Sequence, residues 1–450
     1  MKPIETHLIT VKKLGINGEG IGYYKKMPVF IDGALPGEEV IAEITHKADR
    51  FMKGKAVRIK RKSDQRVTPF CPVFHQCGGC QVQHLSIHGQ HQEKINLVKE
   101  SLLKYAGLNL PAAKIEPVDT GFKDRFYRHK AQMPLVMTKS GIMTALYQKD
   151  SRTPVPMKTC PVHHPLINEV NQNVIDILNQ YDLDPFDPRV KKGLLRTLIT
   201  RVSSSTEEVQ VTIVVTMFHP SLKDIAQAIQ AIDPVKSVAI SKLYEANTHQ
   251  IFGETVEVLA GDATITEHID DVSFNLSPQS FYQLNPPVAQ AIYQHVASKI
   301  GPVDLAVDLY TGSGTLALKL AKTAKKVMGV DLSLASIESA KANAKDNHMN
   351  HVVFLKDKAH EGLKYILKKA MPDVITFDPP RSGLDDKTLH MITMSSVPTL
   401  VYISCNPSTL GKNLNMLKKQ YAIESMKVYD MFPHTAHVET VVVLKKRPVS

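Results

Sequence analysis

Val401-Tyr402-Ile403-Ser404-Cys405-Asn406-Pro407 runs four residues suited to a buried strand into Ser-Cys, and Asn-Pro then breaks the strand. A thiol so placed stands at the carboxyl edge of a sheet, where open α/β folds hold their ligands. Outward from this stretch, strands are expected at Leu305–Leu309, Val327–Val330, Val352–Leu355, Val374–Phe377 and Leu400–Ser404. Amphipathic helices fit Val288–Ile300, Leu316–Thr323, Leu334–Asn347 and Thr409–Gln420 between and beside them. The alternation predicts a parallel, doubly wound α/β sheet from about residue 280 onward, with Ile423–Asp430 and Val438–Leu444 as a hairpin at its edge. Alone, Cys405 reads as an inert buried cysteine. Three other stretches, Asp308–Thr315, Asp378–Gly383 and His434–Glu439, turn that reading.

Asp308-Leu309-Tyr310-Thr311-Gly312-Ser313-Gly314-Thr315 follows the first of these strands and opens a helix. Its glycines let a ligand lie against the backbone. Asp331 ends the next strand, where a carboxylate can bond both ribose hydroxyls of a nucleotide. Leu316 and Ala317 stand where a dinucleotide fingerprint has its third glycine. With no pyrophosphate to cradle, S-adenosylmethionine fits better than NAD, and a glycine turn without a ligand is the bland alternative.

Asp378-Pro379-Pro380-Arg381-Ser382-Gly383 ends the fourth strand as Cys405 ends the fifth, so both are expected at one rim beside the cofactor. Amino-methyltransferases follow a similar Asp-Pro-Pro with an aromatic that stacks the target base, whereas Arg381 follows here. Enzymes that methylate C5 of cytosine in RNA carry a second cysteine just after such a proline, and this chain has none there. A uracil ring accounts for the parts. Its C5 is a poor nucleophile until a thiolate adds to C6 and turns the ring into an enolate. A base must then remove the C5 proton, and Glu439 in Phe432-Pro433-His434-Thr435-Ala436-His437-Val438-Glu439 is the candidate. Without Cys405, that glutamate would read as a surface residue.

The 450 residues are 43% hydrophobic and 22% charged, the balance of a soluble protein with real cores and roughly two to four domains. Met1 to His7 shows no apolar core of a secretory signal, and the greasiest run, Val209 to Phe218, is too short and polar to span a bilayer. A cytoplasmic protein with no membrane partner is expected. A net charge of +11 points to a polyanion, and nucleic acid fits better than a membrane surface because no long basic amphipathic helix stands out.

Residues 1–62 read as a small OB-like β-barrel of short strands broken by glycine turns. Its last strand carries Lys53, Lys55, Arg58, Lys60, Arg61 and Lys62, a set suited to phosphates or to guarding a sheet edge. Cys71, Cys77 and Cys80, with Cys160 far downstream, are four of the five cysteines. In a cytoplasmic protein such clustering argues for a metal centre, and spacing does not separate zinc from a [4Fe–4S] cluster. A helix is expected over Ile87–Tyr105, ending near Gly107. Arg125–Gln132 mixes cations with rings, as a contact for phosphate and an unpaired base or as an amphipathic strand. Residues 63–275 are expected to form a central α/β domain bearing the cysteines and an RNA-binding surface, with strands at Gln210–Val215 and Ser237–Ser241; residues 276–450 form the third domain.

Ser404–Pro407, Asp378–Arg381, Ser280-Phe281-Tyr282-Gln283-Leu284-Asn285 and Phe432–Glu439 resemble the RNA 5-methyluridine methyltransferase family over nearly the whole chain. The resemblance implies a Rossmann-like S-adenosylmethionine-dependent methyltransferase domain, a TRAM domain for the barrel, and a [4Fe–4S] site at Cys71, Cys77, Cys80 and Cys160. It implies Cys405 as nucleophile and Glu439 as proton-abstracting base. Gln283, Tyr310 and Asp331 are implied at the cofactor, with Asp378 bridging toward cofactor and target base. Tyr310-Thr311 replaces the Phe-Cys of some relatives and keeps a ring against the cofactor. Bacterial members acting on transfer RNA commonly lack both TRAM domain and cluster, so a uridine of 23S ribosomal RNA is the expected target and a monomer the expected form. The alternatives are a transfer RNA T-loop methyltransferase and a cluster-bearing RNA-binding or redox protein with an inactive methyltransferase fold.

Overall fold

The computed structural model describes residues 5–245 and 250–448, so Met1 to Ile4 of the stretch read for a secretory signal lie outside the described residues. By contact density the chain divides into two units. One takes the chain up to Thr120, Pro379–Thr393 and Tyr402 onward, and the other takes Gly121–Asp378 and Met394–Val401.

In the first unit, strands Thr6–Leu14, Gly20–Tyr24, Met27–Asp32, Glu39–Lys47 and Met52–Arg61 close into a barrel. Alternating residues point inward, and Ile9, Val11, Val29, Ile31, Val40 and Met52 form its core. The carboxylate of Glu38 is fully buried below the barrel and accepts bonds from Arg66 at 2.6 and 2.8 Å and from the Leu35 N–H at 2.9 Å. Burial raises that carboxyl, yet Arg66 and the Leu35 N–H hold it below its usual range. Lys53, Lys55, Arg58, Lys60 and Arg61 are all exposed, and Glu43 and Glu39 pair with Lys55 and Arg61.

Helix Ile87–Ala106 follows, capped by the Ser86 side chain and ended by left-handed Gly107, as the spacing predicts. Strands Tyr421–Tyr429 and Glu439–Lys446 pair antiparallel, as expected of the terminal hairpin, and Ile115–Glu116 adds a short parallel strand outside the former.

The second unit holds a seven-stranded sheet in the order Thr255–Gly261, Val235–Lys242, Val209–Val215, Leu195–Val202, Lys130–Thr138, Gly141–Tyr147, Pro154–Pro156. Every residue of Val209–Val215 is buried, so the greasiest run of the chain is a strand in mid-sheet. Helices Pro165–Leu178 and Leu222–Gln230 pack on it. The same unit carries four parallel strands in the order Val352–Lys356, Ala324–Asp331, Val303–Leu309, Val374–Phe377. This is the expected Rossmann-like α/β alternation. The order turns back between Val303–Leu309 and Val374–Phe377, and a crevice opens at the carboxyl ends of such a reversal. No described helix is long and apolar enough to cross a membrane.

Candidate active site

The residues expected at the cofactor lie in the second unit. Beyond Leu309, Tyr310 takes a left-handed φ of 64°, and Gly314 takes 84° before helix Thr315–Leu320. A Cβ on Gly314 would stand 3.0 Å from the Phe354 ring and 3.1 Å from Ala340, so glycine lets this turn seat against its neighbours. The Asp331 carboxylate accepts from the Gly312 N–H at 3.0 Å and from the Ser333 N–H at 2.8 Å. It therefore fixes the glycine turn to the end of the next strand.

Asp308, named in the sequence only as the first residue of this stretch, is buried and accepts from the hydroxyls of Thr311 and Thr376 at 2.7 Å each. Burial and the neighbouring Asp331 push its carboxyl up to about 6, against the pull of the two threonines. Asp378, half-buried just past Val374–Phe377, is pushed up to about 7 by burial and then by the charge of Asp308. Two carboxyls of raised pKa thus stand at the reversal point, an arrangement that favours a cationic ligand.

The segment carrying Gln283 reaches the same turn, since the Ser313 hydroxyl donates to the Phe281 carbonyl at 3.4 Å. Buried Arg201 holds the turn before it by donating to the carbonyls of Ser277, at 3.1 Å, and Ser280. Arg201 lies about 80 residues upstream in an unremarkable strand, and the sequence offers no signal for it. Within Arg125–Gln132, Tyr127 is buried, Phe126 is exposed with a φ of 58°, and the rings of His129 and His164 are 4.8 Å apart.

The thiol side lies in the first unit. Cys405 is half-buried directly before Asn406, whose side chain caps helix Pro407–Leu417 by accepting from the Ser408 N–H at 3.0 Å. That end of a helix favours negative charge nearby. The Asn406 amide donates to the Arg381 carbonyl at 3.0 Å, and the Thr409 hydroxyl donates to it at 3.2 Å. The Arg381 guanidinium donates to His437 Nδ1 at 2.8 Å. Glu439, buried, opens strand Glu439–Lys446 two residues later. One arginine therefore joins the loop of Cys405 to the loop of Glu439.

Of the four cysteines, Cys71, Cys77 and Cys80 are half-buried in the first unit, and Cys160 is buried in the second. Burial raises the Cys77 thiol and the neighbouring Cys71 raises it further, while the Gly79 N–H donates to its sulfur at 3.3 Å and lowers it. An N–H aimed at sulfur suits a thiolate ligand. Among the described residues, however, no three histidine, cysteine or acidic side chains stand together as a metal site. Cys71 stands near enough to Cys77 to act on its thiol.

Residues 90–447 match the family model of the tRNA (uracil-5-)-methyltransferases, and residues 3–57 match that of the TRAM domain. An uncharacterised RNA methyltransferase of Listeria innocua is 37% identical over 445 residues, covering 98% of this chain and 97% of the relative. Another, of Bacillus cereus, is 38% identical over 448 residues with coverage of 98% and 97%. The crystal structure of Pyrococcus abyssi tRNA (uracil-54, C5)-methyltransferase in complex with S-adenosyl-L-homocysteine is similar over 97% of this chain and 99% of that one, at 26% identity and a TM-score of 0.77.

Proposed function

Since the chain belongs to the tRNA (uracil-5-)-methyltransferase family, carries a TRAM domain and is an S-adenosylmethionine-dependent RNA methyltransferase, we propose that it methylates C5 of a uridine in 23S ribosomal RNA through Cys405 and Glu439. The observation that carries this reading is Arg381, which ties the Cys405 loop to the Glu439 loop.

The target base leaves its stack, at an expense of a few kcal/mol that RNA contacts offset. The Cys405 thiolate adds to C6, forming an S–C6 bond and an enolate. C5 takes the methyl group from the sulfonium, releasing S-adenosylhomocysteine. Glu439 removes the C5 proton, the S–C6 bond breaks, and the thiolate returns. Asp331 bonds the ribose hydroxyls, Tyr310 lies against the cofactor, Gln283 borders it, and Asp378 faces the sulfonium and the base. Cys71, Cys77, Cys80 and Cys160 would hold a [4Fe–4S] cluster with a structural role, a reading supported by Cys71 acting on the Cys77 thiol and by the Gly79 N–H on its sulfur. The enzyme works as a cytoplasmic monomer, and the barrel's exposed cations meet RNA phosphates.

Ribosomal RNA is favoured by the pairing of TRAM domain and four cysteines. Likeness to the Pyrococcus abyssi uracil-54 enzyme favours a second reading, the T-loop uridine of transfer RNA. Tritium release from RNA labelled at uridine C5 separates them: release from 23S fragments supports the first and release from transfer RNA alone the second. Cys405→Ala should abolish release and keep RNA binding, and normal release by that variant would overturn the mechanism. Iron and sulfide in anaerobically purified protein support the cluster, and stoichiometric zinc counts against it.

A further inference from the structure

The connection 430–438 joins the two paired carboxyl-terminal strands, and its exit residue Glu439 stands opposite Tyr429. Loops run over surfaces because buried backbone groups need partners. This one is buried at Asp430, Met431, Pro433, His434, Thr435, Ala436 and Val438, with His437 alone exposed.

Several of its partners come from residues 81–94. The N–H groups of Gln81 and Val82 both donate to the His434 carbonyl at 3.0 Å. The Gln90 side chain accepts from the His434 N–H at 2.7 Å, and its Nε2 lies 3.2 Å from the His434 ring Nδ1. Lys94 donates to the Asp430 carboxylate and, at 3.1 Å, to the Phe432 carbonyl. His91 stands 3.4 Å from the other Asp430 oxygen. His434 takes a φ of 67°, a strained value for a histidine that persists only where the surroundings over-determine it. Gln90 and Lys94 lie one turn apart on one face of helix Ile87–Ala106, and both are buried.

We propose that Gln90 and Lys94 are positioning residues for the proton-abstracting step, fixing the loop that delivers Glu439. The inference rests on Glu439 being the base. Gln90 gives the loop both a donor and an acceptor, and Lys94 neutralises the carboxylate at its entrance. Addition by Cys405 and methyl transfer precede the use of Glu439, so a loosened mount leaves them running and stalls elimination.

The full-length enzyme with Gln90→Met is the test, because methionine keeps the shape and removes the contacts to His434, along with the bonds to the Val82 and Leu85 carbonyls. RNA containing 5-fluorouridine cannot lose its C5 substituent as a proton, so its covalent capture reports only the steps before elimination. Capture should proceed at the parent's rate, turnover on ordinary RNA should fall about tenfold to a hundredfold, and an enzyme–RNA adduct should accumulate there. Unchanged turnover overturns the proposal, and so does a parallel fall of capture and turnover. Should Gln90→Met not fold, Lys94→Gln with Asp430→Asn replaces the ion pair by an amide pair and is read the same way. Glu439→Gln is the control. If it accumulates adduct and the mount variants do not, the mount alone is overturned; if it accumulates none, the base is another group and the proposal falls with it.

Discussion

Asp378 shows most directly what single residues contribute. Burial and then Asp308 push its carboxyl up to about 7, so it is largely protonated below that pH and ionised above it. A sulfonium prefers the ionised form. S-adenosylmethionine should therefore bind more tightly as pH climbs through about 7, while S-adenosylhomocysteine, whose sulfur is neutral, should show a flatter profile. Asp378→Asn should erase the difference between the two ligands in calorimetric titrations. Identical profiles in the parent would mean that Asp378 does not face the sulfonium. At this scale the sequence is legible where chemistry forces a local pattern, as in Ser404-Cys405-Asn406-Pro407. It is silent about Lys94 and Asp430, whose bond spans 336 residues and leaves no local trace in either stretch. Burial and Asp430 act oppositely on Lys94, burial prevailing to lower it; burial would raise Asp430, yet Lys94 and His91 hold it low.

Among the elements, runs of branched aliphatics made the parallel strands readable to within a few residues. Val303–Leu309, Ala324–Asp331 and Thr399–Ser404 each contain the expected segment, with ends extended by backbone pairing that side-chain pattern does not report. The hairpin Ile265–Ile269 with Val272–Leu276 was not separately legible, because its strands are five residues each and carry Glu267, His268 and Asn275. Helices Ala359–Leu367 and Asp386–Met394 were missed for a similar reason, since nine residues give the helical period little room to repeat. Helix Pro407–Leu417 is fastened to the Arg381 loop through Asn413, which accepts from the Leu384 N–H at 3.0 Å and the Tyr402 hydroxyl at 2.7 Å. Gly383, at a φ of 78°, leaves room for this contact, and a Cβ there would stand 2.6 Å from the Asn413 oxygen. Gly383→Ala should lower stability by about 1–3 kcal/mol. A drop in thermal midpoint checks it, and an unchanged midpoint would show that the loop relaxes freely.

For the whole molecule, the order of segments along the chain was legible and their companionship was not. The barrel and the doubly wound strands appear where the pattern places them, yet the first compact unit gathers the chain up to Thr120 with Tyr402 onward. Nothing local announces that strand Ile115–Glu116 will lie beside Tyr421–Tyr429. Stability against acid is also a property of the whole chain. Burial holds His84 at about 4, His163 at about 3 and His164 at about 4, all neutral in the fold. An unfolded histidine titrates near about 6.5, so their contribution is complete above that pH and is lost as pH falls through the interval down to these values. Asp308 and Asp378, raised to about 6 and about 7, act oppositely, but two carboxyls face three imidazoles. Glu38 and Asp430, both held low, add to the loss. The thermal midpoint should decline between neutrality and about pH 4, and His84→Leu should make the decline shallower. A midpoint that rose on acidification would show these rings to be solvated.

The Lys94–Asp430 bond bears on how the chain is made. Translation delivers helix Ile87–Ala106 long before its partner exists, so that ammonium must wait in water while more than three hundred further residues are added. The portion bearing that helix is thus completed by strands made much later. A premature stop just before Asp430 would loosen the front of the protein as surely as its tail.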